Sequence, residues 1–340
     1  MGGCYSYDYR SREPKKTQAK LEKISAKGVV TKLINAFWKT GERENLIKAQ
    51  VAFASSNKSG FFLRLADSQG IKNAADIPKE FPETEYEVKF DVEPVEGNDS
   101  EPGIADYLNA FDFPAVATAR FLKDPVNITA TGVNNFYGNN GEERLVVIEK
   151  GGNLYLKEKG PAAPLETNVE FQEVVIKRTE TRYPASFSEV QEKIKEVTEE
   201  GAEYKGKIRK EKGDAFLLDT SDGRLYSMSF TRAHLIKPGE KNESGIQRQL
   251  ELEYAGYIPK FPGFKLNSEE QIVEGMVDLA KYTGVMYSNA PVKNGWRANL
   301  KLTGERKYDF ITGNKASLER TLQPVLLLPE SMPVYIGEEQ

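Results

Sequence analysis

Cysteine and histidine are nearly absent from this chain of 340 residues, which contains one of each, Cys4 and His234. An intrachain disulfide is therefore excluded, and zinc sites or nucleophilic mechanisms that combine cysteine with histidine lack their residues. The sequence also contains no phosphate loop of the Gly-x-x-x-x-Gly-Lys-Ser/Thr type and no Gly-x-Ser-x-Gly elbow. Any chemistry in this chain must rely on carboxylates, lysines and arginines.

Long apolar runs are missing as well. No stretch approaches the roughly 18 apolar residues that span a bilayer, and the first residues contain no apolar signal-peptide core. With 39% hydrophobic residues, 29% charged residues and a net charge of −4, the composition is typical of an intracellular protein, and we expect a cytoplasmic location. The mild acidity argues against binding of a long nucleic acid, which needs a concentrated basic face.

One segment alternates charged and uncharged side chains. In residues 83–90, Glu-Thr-Glu-Tyr-Glu-Val-Lys-Phe, the side chains of Glu85, Glu87 and Lys89 would line one face of a β-strand. Such a row is either a solvated outer face or an inner face that holds a divalent cation against an anion, because hard cations prefer several carboxylate oxygens. The segment alone leaves both interpretations open, and the solvated face is the commoner one.

Further segments show a similar alternation, in which charges recur on one parity. Acid-rich segments begin and end the series and basic segments lie between them, whereas a sheet that is simply solvated on one face would mix both signs. The charges that share a parity are Arg144 and Lys150; Lys157 and Lys159; Arg178, Glu180 and Arg182; Lys205, Lys207 and Arg209; and Glu251 and Glu253.

The order of these segments resembles that of the CYTH superfamily, also called the triphosphate tunnel metalloenzymes. Residues 85–89, Glu-Tyr-Glu-Val-Lys, match the family's Glu-x-Glu-x-Lys signature, and the resemblance covers roughly residues 80–285. The other similar segments are residues 133–138 (an aromatic strand and turn), 144–159 (paired basic strands), 178–180 (an Arg-x-Glu strand) and 249–254 (a late Glu-x-Glu strand).

Two departures from the family pattern leave the second metal site and the exact substrate open. Thr231 stands about where the family commonly has an acid. Asn135 and Gly138 surround an aromatic pair where the family usually has an aspartate at the end of the strand.

The resemblance implies an α+β fold, in which an antiparallel β-barrel with flanking helices forms the tunnel over residues 81–285. We expect N- and C-terminal extensions around it: a flexible arm at residues 1–25, a helical and strand extension at 26–80, and an appended element at 286–340.

The resemblance also implies a function, namely metal-dependent hydrolysis of a small triphosphate such as inorganic tripolyphosphate, thiamine triphosphate or a nucleoside triphosphate. Two alternatives stay open: a non-catalytic module that binds polyphosphate or nucleotide, and an adenylyl cyclase of the same fold. The metal, Mg²⁺ or Mn²⁺, would be held by Glu85, Glu87, Glu180, Glu251 and Glu253. The residues that would act on the phosphates in catalysis are Glu85, Glu87, Lys89, Arg144 and Arg178. The substrate-binding cations would be Lys150, Lys157, Lys159, Arg182, Lys205, Lys207 and Arg209.

Local patterns add several elements. Apolar spacing predicts a helix over residues 29–50 and a short strand over 60–65. Capping signals predict a helix from Ser186 to about Val197 and another from about residue 267 to 282, ended by Gly284. Asp222-Gly223 predicts a hairpin turn.

Residues 1–6, Met-Gly-Gly-Cys-Tyr-Ser, have the spacing of an N-myristoylation signal, with Cys4 placed for palmitoylation. The pattern predicts a lipid anchor only in a eukaryotic cell, and a chance match is the alternative because the motif is short.

Overall fold

The structure is a computed structural model. It describes residues 28–54, 60–94, 101–109, 120–124, 127–139, 141–289 and 298–313. The predicted arm and the acylation signal at Gly2 and Cys4 lie outside the described residues.

The β-strands belong to one antiparallel sheet. In chain order they are β1 (Thr84–Pro94), β2 (Phe121–Lys123), β3 (Asn127–Asn139), β4 (Glu142–Lys150), β5 (Asn153–Ala163), β6 (Ile176–Ala185), β7 (Glu203–Asp219), β8 (Arg224–Ile236), β9 (Gly245–Tyr257) and β10 (Ala298–Leu302).

Eight of these strands close into a barrel. They follow the order β1-β6-β5-β4-β3-β7-β8-β9, and β9 pairs back to β1 through Glu87 to Asp91. Strand β10 extends along β1, and β2 pairs with β7. The predicted antiparallel barrel is confirmed.

The predicted hairpin turn joins β7 to β8. Gly223 has a φ of 81°, and a Cβ at this position would lie 2.2 Å from the Phe261 ring. Only glycine meets both demands.

The helices lie around the barrel. They are α1 (28–40), α2 (Arg43–Ala54), α3 (Phe61–Asp67), α4 (Ile104–Asn109), α5 (Phe187–Glu199), α6 (Glu269–Asn289) and α7 (Lys307–Thr312). Within the described ranges, none of them combines the length and the apolar character needed to cross a membrane.

The capping box predicted for α5 is present. The Ser186 side chain accepts a hydrogen bond from the Glu189 amide, and the Glu189 carboxylate accepts one from the Ser186 amide at 2.6 Å. The predicted end of α6 at Gly284 is wrong, since the helix continues to Asn289. A helical glycine costs only about 1 kcal/mol, and α6 packs along the barrel through buried Ile272, Met276 and Leu279.

Two predictions for the N-terminal extension are wrong. The helix expected over residues 29–50 is two helices, α1 and α2, separated near Gly41, which has a φ of 73°. Residues 61–67 form helix α3 rather than a strand, because Phe61, Phe62 and Leu65 are all buried among the neighbouring helices. Short apolar runs do not distinguish the two structures by periodicity.

Asp124 fixes the start of α3. Its carboxylate accepts hydrogen bonds from the Phe61 and Phe62 amides at 3.2 and 3.4 Å. Burial raises the pKa of Asp124 to about 6, although these two hydrogen bonds oppose the shift.

This raised pKa predicts a pH dependence of stability. The folded state binds the proton more tightly than the unfolded chain, so the contribution is full below the ordinary pKa of 3.8 and is lost as the pH rises through about 6. We expect this group to lower the free energy of unfolding by about 2 kcal/mol between pH 4 and pH 7. Urea unfolding at several pH values should show a flatter profile for Asp124→Asn; an unchanged slope would contradict this assignment.

The outer surface of the barrel is apolar where helices cover it. Helix α6 packs on one side, in a cluster with Val88, Phe230 and Leu252. Helix α5 contributes Val190 and Val197 to a second cluster on β4 and β5. Successive side chains of a strand point to opposite faces, so the residues between these outward apolar ones face the barrel interior.

Candidate active site in the barrel interior

The barrel encloses a cavity of about 240 Å³ whose lining is strongly charged. Strand register explains the composition, because residues paired across neighbouring strands share a face: Glu85 with Arg178, Lys89 with Glu251, and Lys157 with Arg182. The charged lining residues are Glu85, Glu87, Lys89, Glu143, Lys150, Lys157, Lys159, Arg178, Glu180, Arg182, Lys210, Lys212, Glu251, Glu253, Arg306 and Lys307.

Glu87 lies at the centre of the acidic wall. It accepts a hydrogen bond from Arg178 and lies 3.1 Å from the Lys89 ammonium, and all three side chains are almost fully buried. Burial and the neighbouring Glu85 act to raise the pKa of Glu87, but Lys159, Lys89 and Arg178 hold it below its usual value. The carboxylate is therefore ionised and paired.

Lys159 bridges two other carboxylates. Its ammonium lies 2.7 Å from Glu85 and 3.0 Å from Glu180. Burial opposes the charge, yet Glu87, Glu85 and Glu180 raise the pKa of Lys159 well above its usual value. Glu180 also contacts Lys157 at 2.7 Å.

The negative charge of the Glu253 carboxylate is poorly compensated by nearby cations. The nearest cation recorded for it is Lys79, at 4.0 Å. Burial, followed by the charges of Glu85 and Glu180, raises the pKa of Glu253. Glu85 and Glu180 thus disfavour the negative charge of Glu253 at this end of the cavity, and a bound cation would relieve the repulsion.

The opposite wall is basic. Burial lowers the pKa of Lys210 to about 7. Glu251, which lies 3.8 Å away, acts to raise this pKa, and the neighbouring ammonium groups act to lower it. Lys212 contacts Asp214 at 2.8 Å. Lys150 on β4 and Arg182 on β6 also line the cavity, and a cluster of cations of this kind is suited to an anion with several oxygens.

Helix α7 fills one end of the barrel. Its Tyr308 and Ile311 pack in an apolar cluster with inward-facing Phe136, Ile208 and Leu235. From the same helix, Lys307 donates hydrogen bonds to Glu251 and Gln249. Lys307, Lys210 and Lys89 together hold the pKa of Glu251 well below its usual value, against the effect of burial.

Arg144 does not face the cavity, contrary to the prediction. The pairing of β3 with β4 shifts by one residue between Tyr137 and Gly138, so that Glu143 points inward and Arg144 outward. Arg144 is 42% exposed and lies 3.5 Å from Glu200. A one-residue bulge moves the residues beyond it in the strand to the opposite face.

The three cations predicted from β7 also lie on the outer surface. Lys205 contacts Glu203 at 2.7 Å, and Arg209 contacts Glu243 at 2.6 Å. Lys207 shares the parity of Arg209, which is the outer one because Ile208 and Lys210 face inward. The parity assigned to β7 from the sequence is therefore wrong.

The structure brings several unpredicted residues into the cavity. Lys210 and Lys212 occupy the inner parity of β7, and Arg306 and Lys307 enter the cavity from the start of α7, where Arg306 is the N-cap residue. The sequence does not determine which face of β7 points inward, because residues 205–212 carry charges on both parities and residues 215–218 are apolar on both. Lys307 belongs to no alternating pattern.

The two departures from the family pattern fall in different places. Thr231 is buried on the inner face, opposite Lys212, and its hydroxyl donates to the Gln249 carbonyl at 3.4 Å. Asn135 lies on the outer parity of β3 and donates to Glu149 at 2.8 Å.

The structure is a closed antiparallel barrel whose interior carries acidic side chains from β1, β6 and β9 and basic side chains from β7. This is the kind of tunnel that the sequence resemblance implies. The tunnel interior holds Glu85, Glu87, Lys89, Lys150, Lys157, Lys159, Arg178, Glu180, Arg182, Glu251 and Glu253 of the residues singled out in the sequence.

No family model and no curated protein matches this chain. Solved structures do match at low identity. A Pyrococcus horikoshii protein is 14% identical over 62% of this chain and 95% of its own, with a TM-score of 0.32. A candidate adenylate cyclase from Vibrio parahaemolyticus is 15% identical over 59% and 88%, with a TM-score of 0.30. The S. pombe RNA triphosphatase is 12% identical over 61% and 83%, with a TM-score of 0.26.

The acidic wall has the donors that Mg²⁺ or Mn²⁺ prefers, since Glu85, Glu180 and Glu253 supply carboxylate oxygens. As the side chains stand in the described part of the chain, no three acids, histidines or cysteines are close enough to enclose a metal ion. Two of these carboxylates, Glu85 and Glu180, are instead paired with the Lys159 ammonium. The residue types fit a hard cation, and an anionic ligand would compete for the lysine.

Proposed function

We propose that the protein binds the triphosphate group of a small molecule inside the tunnel and hydrolyses one of its phosphoanhydride bonds with the help of Mg²⁺ or Mn²⁺. The observation that carries this proposal is the separation of charge in the cavity, with Glu85, Glu180 and Glu253 on one wall and Lys210 and Lys212 on another.

The chain's own residues would bind and neutralise the phosphates. Lys150, Lys157, Lys210, Lys212 and Arg182 would contact phosphate oxygens, and arginine can do so with two parallel hydrogen bonds. Glu85, Glu180 and Glu253 would hold the cation, which would neutralise phosphate oxygens from the other side. Glu87 and Glu251 are already paired with Arg178 and Lys307, so we assign them to orienting those cations.

The reaction needs no nucleophilic side chain. Water would form the new bond to phosphorus, the bond from that phosphorus to the bridging oxygen would break, and the shortened phosphate chain would leave with that oxygen. Phosphoryl transfer depends mainly on positioning and charge neutralisation. The cavity lining, as far as the structure describes it, includes no serine, threonine, cysteine or histidine that would suggest a covalent intermediate.

The second candidate function is binding without hydrolysis. It is favoured by the ion pairs that already occupy Glu85, Glu87, Glu180 and Glu251 and leave no enclosed metal site among the described side chains. The poorly compensated Glu253 favours hydrolysis, because a pure anion binder has little use for it.

Substitution of Glu253 tests the proposal with little damage to the fold, since its nearest recorded cation is 4.0 Å away. We expect Glu253→Gln to lower phosphate release from tripolyphosphate or ATP about a hundredfold, a magnitude typical of losing one charge-stabilising group. The assay is phosphate release with Mg²⁺ or Mn²⁺, and with EDTA as the metal-free condition.

Glu158→Gln is the matched control, because Glu158 lies on the same barrel but contacts Lys193 outside the cavity at 3.3 Å. It should change release less than twofold. If the unaltered protein releases no phosphate but is stabilised by tripolyphosphate against heat, the binding function replaces hydrolysis. If the unaltered protein neither releases phosphate nor is stabilised by tripolyphosphate, both candidate functions are wrong.

A further inference from the structure

A second cavity, of about 640 Å³, lies beside the tunnel. Arg178 and Arg306 line both cavities, so the two are neighbours across the barrel wall. Ligand pockets for small organic molecules are usually about 300–1,000 Å³ and mostly apolar. The side cavity falls in that range, whereas the charged tunnel cavity of about 240 Å³ falls below it.

The barrel wall is irregular at this place for two reasons. The pairing of β5 with β6 shifts between Lys159 and Ala162, so the residues between them leave the regular ladder. In addition, β1 pairs with β6 only as far as Glu87, and its pairing with β10 begins at Phe90. The Thr303 amide donates a hydrogen bond to the Lys89 carbonyl at 3.0 Å between these two pairings, so β1 changes its partner strand close to Arg178.

The lining of the side cavity differs in chemistry from the tunnel. Ala162, Ala163, Leu165 and Ile176 supply apolar surface, and Gln172 supplies a side-chain amide whose oxygen accepts a hydrogen bond from Thr167. The charged residues of the lining are Glu173, Lys177, Arg178, Arg306 and Asp309. Such a site suits a flat organic ring with a polar edge better than another phosphate.

We propose that the side cavity receives the nucleoside part of a nucleoside triphosphate whose phosphates lie in the tunnel. This inference rests on the proposed function and narrows its substrate class, since inorganic tripolyphosphate would leave the side cavity empty. The shared residues Arg178 and Arg306 mark the place where the sugar and the first phosphate would meet.

The test measures binding without turnover. Calorimetric titration in Mg²⁺ compares AMP-PNP with imidotriphosphate, the non-hydrolysable analogues of ATP and tripolyphosphate. The unaltered protein should bind AMP-PNP about tenfold more tightly, because burial of a base adds apolar contact. Ala163→Trp, which fills the side cavity from an exposed position, should weaken AMP-PNP binding at least about tenfold and imidotriphosphate binding less than twofold.

Thr181→Trp is the matched control, because Thr181 is exposed on β6 and lines neither cavity. Ala162→Trp repeats the test one residue away, and circular dichroism checks that each variant folds. Equal effects of Ala163→Trp on the two ligands, or none on either, would overturn the inference and leave the proposed function intact. If the unaltered protein binds neither ligand, the proposed function fails and the inference fails with it.

Discussion

Replacing both Lys210 and Lys212 by methionine is expected to weaken tripolyphosphate binding about a thousandfold. Both side chains line the cavity from β7. A hydrogen bond to a charged group contributes about 1.5–3 kcal/mol, so two lost contacts together correspond to roughly three orders of magnitude in the dissociation constant. Methionine keeps most of the side-chain volume, and removing a buried ammonium leaves Glu251 with Lys307 as its partner.

The same strand offers a control in which two basic residues are also replaced by methionine. Lys207→Met/Arg209→Met removes two positive charges from the outer face of β7 and should change the affinity less than about threefold, because exposed charges are screened by solvent. Calorimetric titration of the three proteins at one salt concentration makes the comparison. If the two double variants lose the same affinity, only the overall charge matters and the interior site is wrong.

Arg178→Leu is expected to lower the free energy of unfolding by about 3 kcal/mol. Arg178 is 4% exposed, donates to Glu87 and lies 3.5 Å from Glu85. Removing one partner of a buried ion pair leaves a buried charge without compensation, at a cost of about 3–5 kcal/mol. Lys89 and Lys159 remain near the two carboxylates, so we expect the lower end of this range.

A second substitution distinguishes lost charge compensation from simple damage to packing. Adding Glu87→Gln to Arg178→Leu removes the carboxylate that lost its partner and should restore about 1–2 kcal/mol. Arg144→Leu, at an exposed ion pair, should change stability by less than about 0.5 kcal/mol. Urea unfolding gives the free energy of unfolding of the unaltered protein and of the three variants. If the double variant is less stable than Arg178→Leu, the cost of Arg178→Leu does not come from an uncompensated charge on Glu87.

The resemblance implied the barrel, and the acidic wall could be predicted because β1 and residues 249–254 of β9 each carry charge on one parity only. Tyr86, Val88 and Phe90 alternate with the charges of β1, so one face had to be the apolar outer surface. The charged face could then be assigned to the interior once the segments of opposite sign were considered together.

The basic wall could be predicted only in part. The bulge at Arg144 adds one residue to β4, and a local insertion of this kind leaves no trace in the period of two. Strand β7 has charges on both parities, so its inner face became visible only through pairing with β3 and β8. Lys307 comes from a short helix that reaches the cavity through tertiary packing, which no local pattern reports.

Anomalous scattering from crystals soaked with Mn²⁺ and imidotriphosphate tests the central claim most directly, because it locates the cation and the phosphates together. The account predicts a manganese peak inside the barrel at Glu85, Glu180 and Glu253, with phosphate density against Lys210 and Lys212. Phosphate density on the outer face of β7 at Lys207 and Arg209, or a tunnel that stays without manganese and phosphate at saturating concentrations, would contradict it.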